Sequence, residues 1–153
     1  MKMPTGAQGK TFCSPITVRF SDIDQAGIVY YPRFFHYFHI VFEEFMAEHV
    51  CPLPELLRVR GLGFPAVHAE IDYKIPLLYG DICPVELSLE KLGGASIGWR
   101  YLLYKPAESG TDSGKLAARA LVVTACMDLS TKSGTLLPSD LRQKLLPFVQ
   151  IGG

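Results

Sequence analysis

Apolar residues recur along this chain with two different periods, and the change of period separates a helical stretch from a region of strands. Thr17 to Phe20 alternates weakly between Pro15 and the polar run Ser21 to Gln25, which predicts a short first strand and then a loop. From Pro32 the spacing turns helical. Phe35, Phe38, Phe42 and Met46 recur on one face, Phe34, Val41 and Phe45 widen it, and Arg33, Glu43, Glu44, Ala47 and Glu48 mark another. Proline suits the first helical position because its missing N–H would have no intrahelical acceptor there. Proline also ends the helix, at Cys51-Pro52-Leu53-Pro54, since it disfavours helical geometry in the residue before it. One or two further turns are expected over Glu55 to Arg60, closed by Gly61 and Gly63.

Beyond Pro65 the period is two. Pro65, Val67, Ala69, Ile71, Tyr73 and Ile75 share one face and Ala66, His68, Glu70, Asp72 and Lys74 the other, which predicts a long strand with one dry face. Val85, Leu87 and Leu89 alternate with Glu86, Ser88 and Glu90, meet Gly93-Gly94, and resume as Ile97, Trp99, Tyr101 and Leu103. A tight hairpin follows from that glycine pair. A loop over Pro106 to Gly114 precedes a last long strand, Lys115 to Leu129, and Pro138 to Phe148 leaves room for a short terminal helix. This order predicts an α+β fold in which an antiparallel sheet meets one helix. One aromatic helix covers only one of the two faces of a sheet, so the other is expected to meet a second copy.

Composition narrows the class. With 153 residues, 48% hydrophobic and 20% charged, the chain suits one domain over 1–153, with residues 1–14 a loose N-terminus. Fifteen basic and fifteen acidic side chains cancel, so no general attraction to nucleic acid or to an anionic membrane is expected. Every strongly apolar stretch is broken well before the ~18 residues that a membrane helix needs. Lys2 and Lys10 lead into no apolar segment of the kind an export signal carries, so a cytoplasmic protein is expected. Cys13, Cys51, Cys83 and Cys126 stand singly and read as reduced, buried thiols rather than as zinc ligands or a disulfide framework.

Candidate chemistry concentrates in Ser21 to Pro32, SDIDQAGIVYYP, where polar residues run directly into the aromatic helix. As residue types, Asp22, Asp24 and Gly27 are accounted for by turn formation alone. Their position adds more. A helix that starts near Tyr31 and Pro32 presents unpaired backbone N–H groups and a partial positive charge at its N-terminus. A carboxylate at Asp24 just ahead of that end would flank one point with a base or nucleophile and an oxyanion donor. That pair is the minimum set for hydrolysing an activated acyl group such as a thioester.

The stretch Asp22-x-Asp24-x-Ala26-Gly27-Ile28-Val29-Tyr30-Tyr31-Pro32 resembles the signature of the hotdog-fold acyl-CoA thioesterases, in particular the 4-hydroxybenzoyl-CoA thioesterase family. His68-Ala69-Glu70-Ile71-Asp72-Tyr73-Lys74 with Pro76 and Gly80-Asp81, then Leu92-Gly93-Gly94-Ala95-Ser96, then SGTLLPSDLR ending at Arg142, follow at family-like spacing. The resemblance implies a hotdog fold, an antiparallel β-sheet wrapped around one long central α-helix. It implies two protomers joined into one continuous sheet with active sites between them, as a homodimer or a dimer of dimers. It further implies Asp24 as nucleophile or general base, the Tyr31 backbone N–H as oxyanion donor, and Gly27 as the residue that lets the loop turn closely enough to present both. The substrate it implies is an acyl-CoA, with no metal and no cofactor beyond the coenzyme A of the substrate.

Departures from the best-known member of that family bear on the substrate. Where its helix binds a phenolic hydroxyl through an Asp, this chain has His39, which lies within the apolar stripe and would equally serve as a core histidine satisfied by a backbone carbonyl. Phe64 replaces a smaller polar residue, so Tyr30, His39 and Phe64 are expected around a more apolar acyl pocket. A turn that is basic in that member reads Gly93-Gly94-Ala95-Ser96 here. Phosphate would then be held by backbone N–H groups at Gly94 and the Ser96 hydroxyl, with Lys91 or Arg100 nearby, although a plain hairpin with solvated charges has the same residues. His68, Glu70 and Asp72 read as a solvent or interface row rather than a metal site, and Trp99, Tyr101 and the helix phenylalanines read as core. The expected activity is hydrolysis of an aromatic or medium-chain acyl-CoA to free acid and coenzyme A. Two alternatives are a hydratase or dehydratase of the same fold, whose pattern has a catalytic His in the neighbourhood where this chain has Tyr31, and a non-catalytic acyl-CoA or acyl-carrier binding module.

Overall fold

The computed structural model describes residues 9–107 and 114–151. In chain order the elements are β1 (Phe12–Thr17), α1 (Arg33–Phe45), α2 (Leu53–Arg58), β2 (Leu62–Gly63), β3 (Ala66–Tyr73), β4 (Ile82–Leu92), β5 (Ser96–Lys105), β6 (Lys115–Ala125), β7 (Met127–Asp128), β8 (Ser133–Gly134) and α3 (Ser139–Leu145). The main sheet has the order β1-β4-β5-β6-β3 with every neighbouring pair antiparallel. Strands β2, β7 and β8 form a small second sheet.

The aromatic stripe of α1 lies against the inner face of the main sheet. Phe38 stacks on Tyr101 with ring centroids 4.8 Å apart, and Phe42 and Phe45 meet Trp99 edge-on at 5.0 and 6.0 Å. Phe45 also meets Phe12 of β1 and Phe148 near the C-terminus, which ties both ends of the described chain to the helix. Aromatic pairs of this kind contribute roughly 0.5–1.5 kcal/mol each beyond the area they bury. α-Helical geometry holds for 13 residues and is followed by a π-helical turn, Met46–Val50. The single long α-helix expected is therefore a shorter helix prolonged by one wider turn, and Cys51, extended ahead of Pro52, ends it.

Three other expectations need correction. Strand β1 begins at Phe12 rather than Thr17, because Pro15 sits inside it opposite Pro84, on an edge strand where a missing N–H removes no essential ladder bond. Residues 9–14 are thus not loose: Gly9 N–H donates to the Val149 carbonyl at 2.8 Å and Lys10 N–H to that of Pro147 at 3.0 Å. Residues 1–8, and 108–113 of the expected loop Pro106 to Gly114, lie outside the described residues. The last long strand breaks at Cys126, where the chain leaves β6 for the small sheet.

The dry face expected for β3 is exposed. This strand is at the edge of the sheet, Val67 is 64% exposed, and of that face Ile71 within the strand and Ile75 beyond its end pack partly against the core. The alternation has the right phase, but burial also needs a neighbour, and among the described residues β3 pairs only with β6. All four cysteines are free, and Cys13 is exposed rather than buried, because it stands on β1 at the opposite edge. Among the described residues no helix is long and apolar enough to cross a membrane.

Candidate active site

Ser21 to Pro32 folds as a compact loop ahead of α1. Ile23 and Val29 form an isolated antiparallel bridge, the Asp24 N–H donates to the Ile28 carbonyl at 2.9 Å, and the Gly27 N–H returns to the Asp24 carbonyl at 3.0 Å. Gly27 has φ +83°, a conformation that side-chain-bearing residues rarely adopt. A Cβ placed there would meet nothing within 4 Å, so backbone conformation and not space selects glycine. Asp24 is exposed at the tip. One of its carboxylate oxygens takes the Ala26 N–H at 2.8 Å, and the other has no partner among the described residues.

Asp22, which sequence patterning treats as a second turn former, is instead the anchor of the loop. It is 4% exposed and accepts from the Arg19 N–H at 2.9 Å, Arg33 Nε and Nη2 at 3.0 and 2.7 Å, and the Tyr37 hydroxyl at 2.8 Å. Its carbonyl takes the Tyr30 N–H at 2.9 Å. Burial opposes its charge, but the hydrogen bonds from Arg19, Arg33 and Tyr37, with the charge of Arg33, outweigh burial and hold its carboxyl below the usual range. The clue available in the sequence was the i, i+4 pair Arg33 and Tyr37 on the helix that follows.

Tyr31 sits where the loop becomes helix. Among the described residues nothing accepts its N–H, while its carbonyl takes the Tyr73 hydroxyl at 3.0 Å and the Phe34 N–H at 3.4 Å. Helix α1 starts after Pro32 with no side-chain cap, and the N–H groups of Arg33, Phe34 and Phe35 turn back to the carbonyls of Tyr30, Tyr31 and Pro32, which leaves the Tyr31 N–H as the donor open to solvent or a ligand at this end among the described residues. Tyr30 is exposed and packs edge-on against Tyr31 at 5.3 Å.

A cavity of about 410 Å³ opens between α1 and the inner face of the sheet. His39 and Phe64 both line it, as expected of pocket residues, and Tyr30 does not. His39 is no core histidine: its side chain is 55% exposed, and its Nε2 lies 3.5 Å from the Glu43 carboxylate one turn on, which places it at the rim. Phe38, Phe42, Trp99 and Tyr101, expected to be core alone, form the cavity wall as well. Asp24, Gly27, Tyr31, Gly94 and Ser96 are not part of that wall, so one chain does not bring all the expected site residues into one lining.

At the β4–β5 hairpin the Gly93 N–H donates to the Ser96 carbonyl at 2.8 Å, closing the turn, and the Gly94 carbonyl takes the Leu137 N–H at 2.9 Å. The cation at this turn is Arg142 of α3, whose Nη2 donates to the Gly93 carbonyl at 2.6 Å. Arg100 is not at the turn tip: it stands 3.6 Å from Glu90 and lines a charged depression with Asp72 and Arg119. Lys91 is exposed. His68 and Glu70 pair at 3.2 Å on exposed β3, and no group of three or more metal-ligating side chains occurs among the described residues.

The chain matches the thioesterase-like superfamily over residues 18–145 and belongs to that superfamily. A 1,4-dihydroxy-2-naphthoyl-CoA hydrolase from Nostoc punctiforme is 30% identical to it over 129 residues, 84% of this chain and 82% of that protein. The crystal structure of a 1,4-dihydroxy-2-naphthoyl-CoA thioesterase from Synechocystis superposes with a TM-score of 0.78 at 26% identity, covering 89% of this chain and 96% of the other. A 4-hydroxybenzoyl-CoA thioesterase in complex with 4-hydroxybenzoyl-CoA superposes with a TM-score of 0.81 over 88% of this chain and 98% of its own, at 18% identity, a likeness of fold. The antiparallel sheet packed on α1 is thus a hotdog-like thioesterase fold.

Proposed function

We propose that this protein is an acyl-CoA thioesterase, which hydrolyses an aromatic or medium-chain acyl-CoA to the free acid and coenzyme A. One observation carries the proposal: a single short loop at the start of α1 holds both an exposed carboxylate with an unused oxygen, Asp24, and a backbone N–H without an acceptor, Tyr31. The thioester carbonyl oxygen is received by the Tyr31 N–H, where the helix end favours the negative charge of the tetrahedral intermediate. Asp24 then either takes a proton from the attacking water or attacks the carbonyl itself to give an anhydride that water cleaves. In both routes the C–S bond breaks, the sulfur leaves with the electron pair and is protonated, and the acid is released.

His39 and Phe64 border the acyl group and Tyr30, on the loop outside that wall, reaches it only across the interface with a second copy, while Gly94, Ser96 and the neighbouring Arg142 hold a phosphate of the nucleotide. The aromatic wall of the cavity favours an aromatic acyl group, as do the naphthoyl-CoA substrates named for the relatives. No metal and no cofactor is required beyond the coenzyme A moiety. The unpaired edge of β3 and the separation of loop residues from the cavity wall support a site completed by a second copy, in a homodimer or a dimer of dimers. Within the superfamily the Asp22 to Pro32 motif favours the 4-hydroxybenzoyl-CoA thioesterase branch.

The test is release of free thiol from benzoyl-, hydroxybenzoyl-, phenylacetyl- and straight-chain acyl-CoAs by the parent protein and by Asp24→Asn. The variant should lose ~10³-fold or more in turnover, at the upper part of the range for a general base. Its melting temperature should stay within about 2 °C, because Asp24 is exposed. Near-normal turnover by Asp24→Asn would overturn the assignment.

A further inference from the structure

The residue that carries the open N–H, Tyr31, is held less by helix α1 than its position suggests. In a regular α-helix the Tyr31 carbonyl would accept the N–H of Phe35, one turn on. That N–H goes instead to the Pro32 carbonyl at 3.3 Å, and the Phe34 N–H reaches Tyr31 only at 3.4 Å, longer than an ordinary N–H···O bond. Pro32 loosens the residue further, since proline disfavours helical geometry in the residue before it. The shorter bond to the Tyr31 carbonyl comes from outside the loop, where the Tyr73 hydroxyl donates to it at 3.0 Å. Tyr73 is itself well anchored. It closes β3 opposite Ala118, and the next two N–H groups, of Lys74 and Ile75, both donate to the Ala117 carbonyl. Its ring meets Phe34 edge-on at 5.1 Å and Tyr31 at 6.2 Å. Partial burial, and then the neighbouring Tyr31, raise the Tyr73 phenol above its usual value, so it remains a donor throughout the neutral range.

We propose that Tyr73 is a positioning residue, whose hydroxyl fixes the Tyr31 carbonyl and thereby aims the Tyr31 N–H at the thioester carbonyl oxygen. This role rests on the hydrolysis proposed above, with Tyr31 as the oxyanion donor. The chain is gripped on both sides of the donor: just ahead of it the Asp22 carbonyl takes the Tyr30 N–H at 2.9 Å, and just behind it Tyr73 takes hold of the Tyr31 carbonyl. Without the second grip the Tyr31 dihedrals relax and the N–H swings off the line to the substrate. Hydrogen bonds weaken steeply as they bend, and a misplacement of about 1 Å in a site costs up to ~10²-fold in rate. Support from a regular element holds a site more precisely than support from a loop, and this hydroxyl comes from a strand. Tyr73 acts only through Tyr31, so its loss weakens the bond to the developing oxyanion more than it weakens binding of the ester.

The experiment compares the parent with Tyr73→Phe, which keeps the ring and its packing, and with Phe34→Leu, which disturbs that packing and keeps the hydroxyl. The probe is the ester of the panel above that is hydrolysed fastest, or bound tightest if none is hydrolysed. In Tyr73→Phe, kcat should fall about tenfold, less than the ~10²–10³-fold cost of losing an oxyanion donor itself, with KM within about twofold. The second readout is the infrared stretch of the ester carbonyl, ¹³C-labelled and bound to Asp24→Asn with and without each change. The bound carbonyl should absorb at lower wavenumber than the free ester, lose most of that displacement with Tyr73→Phe, and keep it with Phe34→Leu. A merely structural role would not move that frequency. It would lower the melting temperature by more than the roughly 2–4 °C of one net hydrogen bond, or lower kcat in a way that raising the protein concentration restores. An unchanged kcat or an unchanged carbonyl frequency in Tyr73→Phe overturns the positioning role and leaves the thioesterase standing. Turnover of no ester by the parent overturns the hydrolase; a bound carbonyl whose displacement Tyr73→Phe still abolishes then upholds the grip on Tyr31 alone. Binding of no ester, or binding without turnover and without displacement, overturns both.

Discussion

Replacing Asp22 by Asn removes one charge and leaves the shape of the loop nearly unchanged, so its effect can be worked out from the contacts. The carboxylate accepts four hydrogen bonds between 2.7 and 3.0 Å, from Arg19, Arg33 twice, and Tyr37. An amide keeps one acceptor oxygen and turns an NH₂ toward two of those donors. The Arg19 N–H and the Tyr37 hydroxyl share one oxygen, and with the NH₂ in its place the hydroxyl can turn to accept but the Arg19 N–H loses its acceptor, which costs ~1–3 kcal/mol. The Arg33 side chain is 38% exposed, so water recovers part of what it loses and its pair adds no more than ~1 kcal/mol. The total is about 1–4 kcal/mol, which for a chain of this size lowers the melting temperature by roughly 2–16 °C. The penalty has a pH signature. Because the folded-state carboxyl of Asp22 is held below its unfolded value, its stabilisation is fully present above that unfolded value, about 3.9, and is lost as pH falls through the folded value. The gap between parent and Asp22→Asn should be constant above about pH 5 and narrow below about pH 4. Thermal unfolding followed by circular dichroism at a series of pH values measures it. A shift smaller than about 1 °C at pH 7, or a gap that widens in acid, would refute the anchoring role assigned to Asp22.

Other outcomes can be set beside it. His39→Ala should change the ranking of acyl-CoA substrates by about tenfold while leaving the melting temperature within about 2 °C, since the imidazole is at the cavity rim and largely exposed; an equal loss on every substrate in a kinetic panel would contradict a pocket position. Sedimentation should find a dimer or larger, and Val67→Asp, an exposed position near the start of the β3 edge, should shift the mass toward the monomer. An unchanged assembly in that variant would move the interface elsewhere.

The elements that depend on local pattern were legible in the sequence. The aromatic stripe after Pro32, the Gly93-Gly94 hairpin and the terminal helix after Pro138 each follow from spacing and turn chemistry within a few residues. What was not legible depends on partners far along the chain. Asp22 and Asp24 look alike in SDIDQAG, and what separates them is that Arg33 and Tyr37, 11 and 15 residues later, reach the first and not the second. The alternation of β3 was plain, yet whether its apolar side is dry depends on what lies beyond the sheet edge. Pro15 reads as a stop and is in fact tolerated inside β1, because an edge strand can lose an N–H. In the candidate site the loop was read from its residues, whereas Arg142 at the hairpin was missed because only tertiary packing brings it to Gly93.

The pairing partners of β1 have a consequence in time. Phe12 waits for Leu87, and Gly9 for Val149, so the first described residues of the chain find their hydrogen-bond partners only when nearly all the rest has emerged. During synthesis, α1 forms early and has no completed sheet on which to lay its phenylalanines. Long-range pairing of this kind is slow, because the ends of a long loop must meet before any contact rewards them. The nascent chain therefore carries its most adhesive surface uncovered until the last strands arrive, and its yield in a cell should depend on chaperones and on the rate of translation more than on the final stability of the fold.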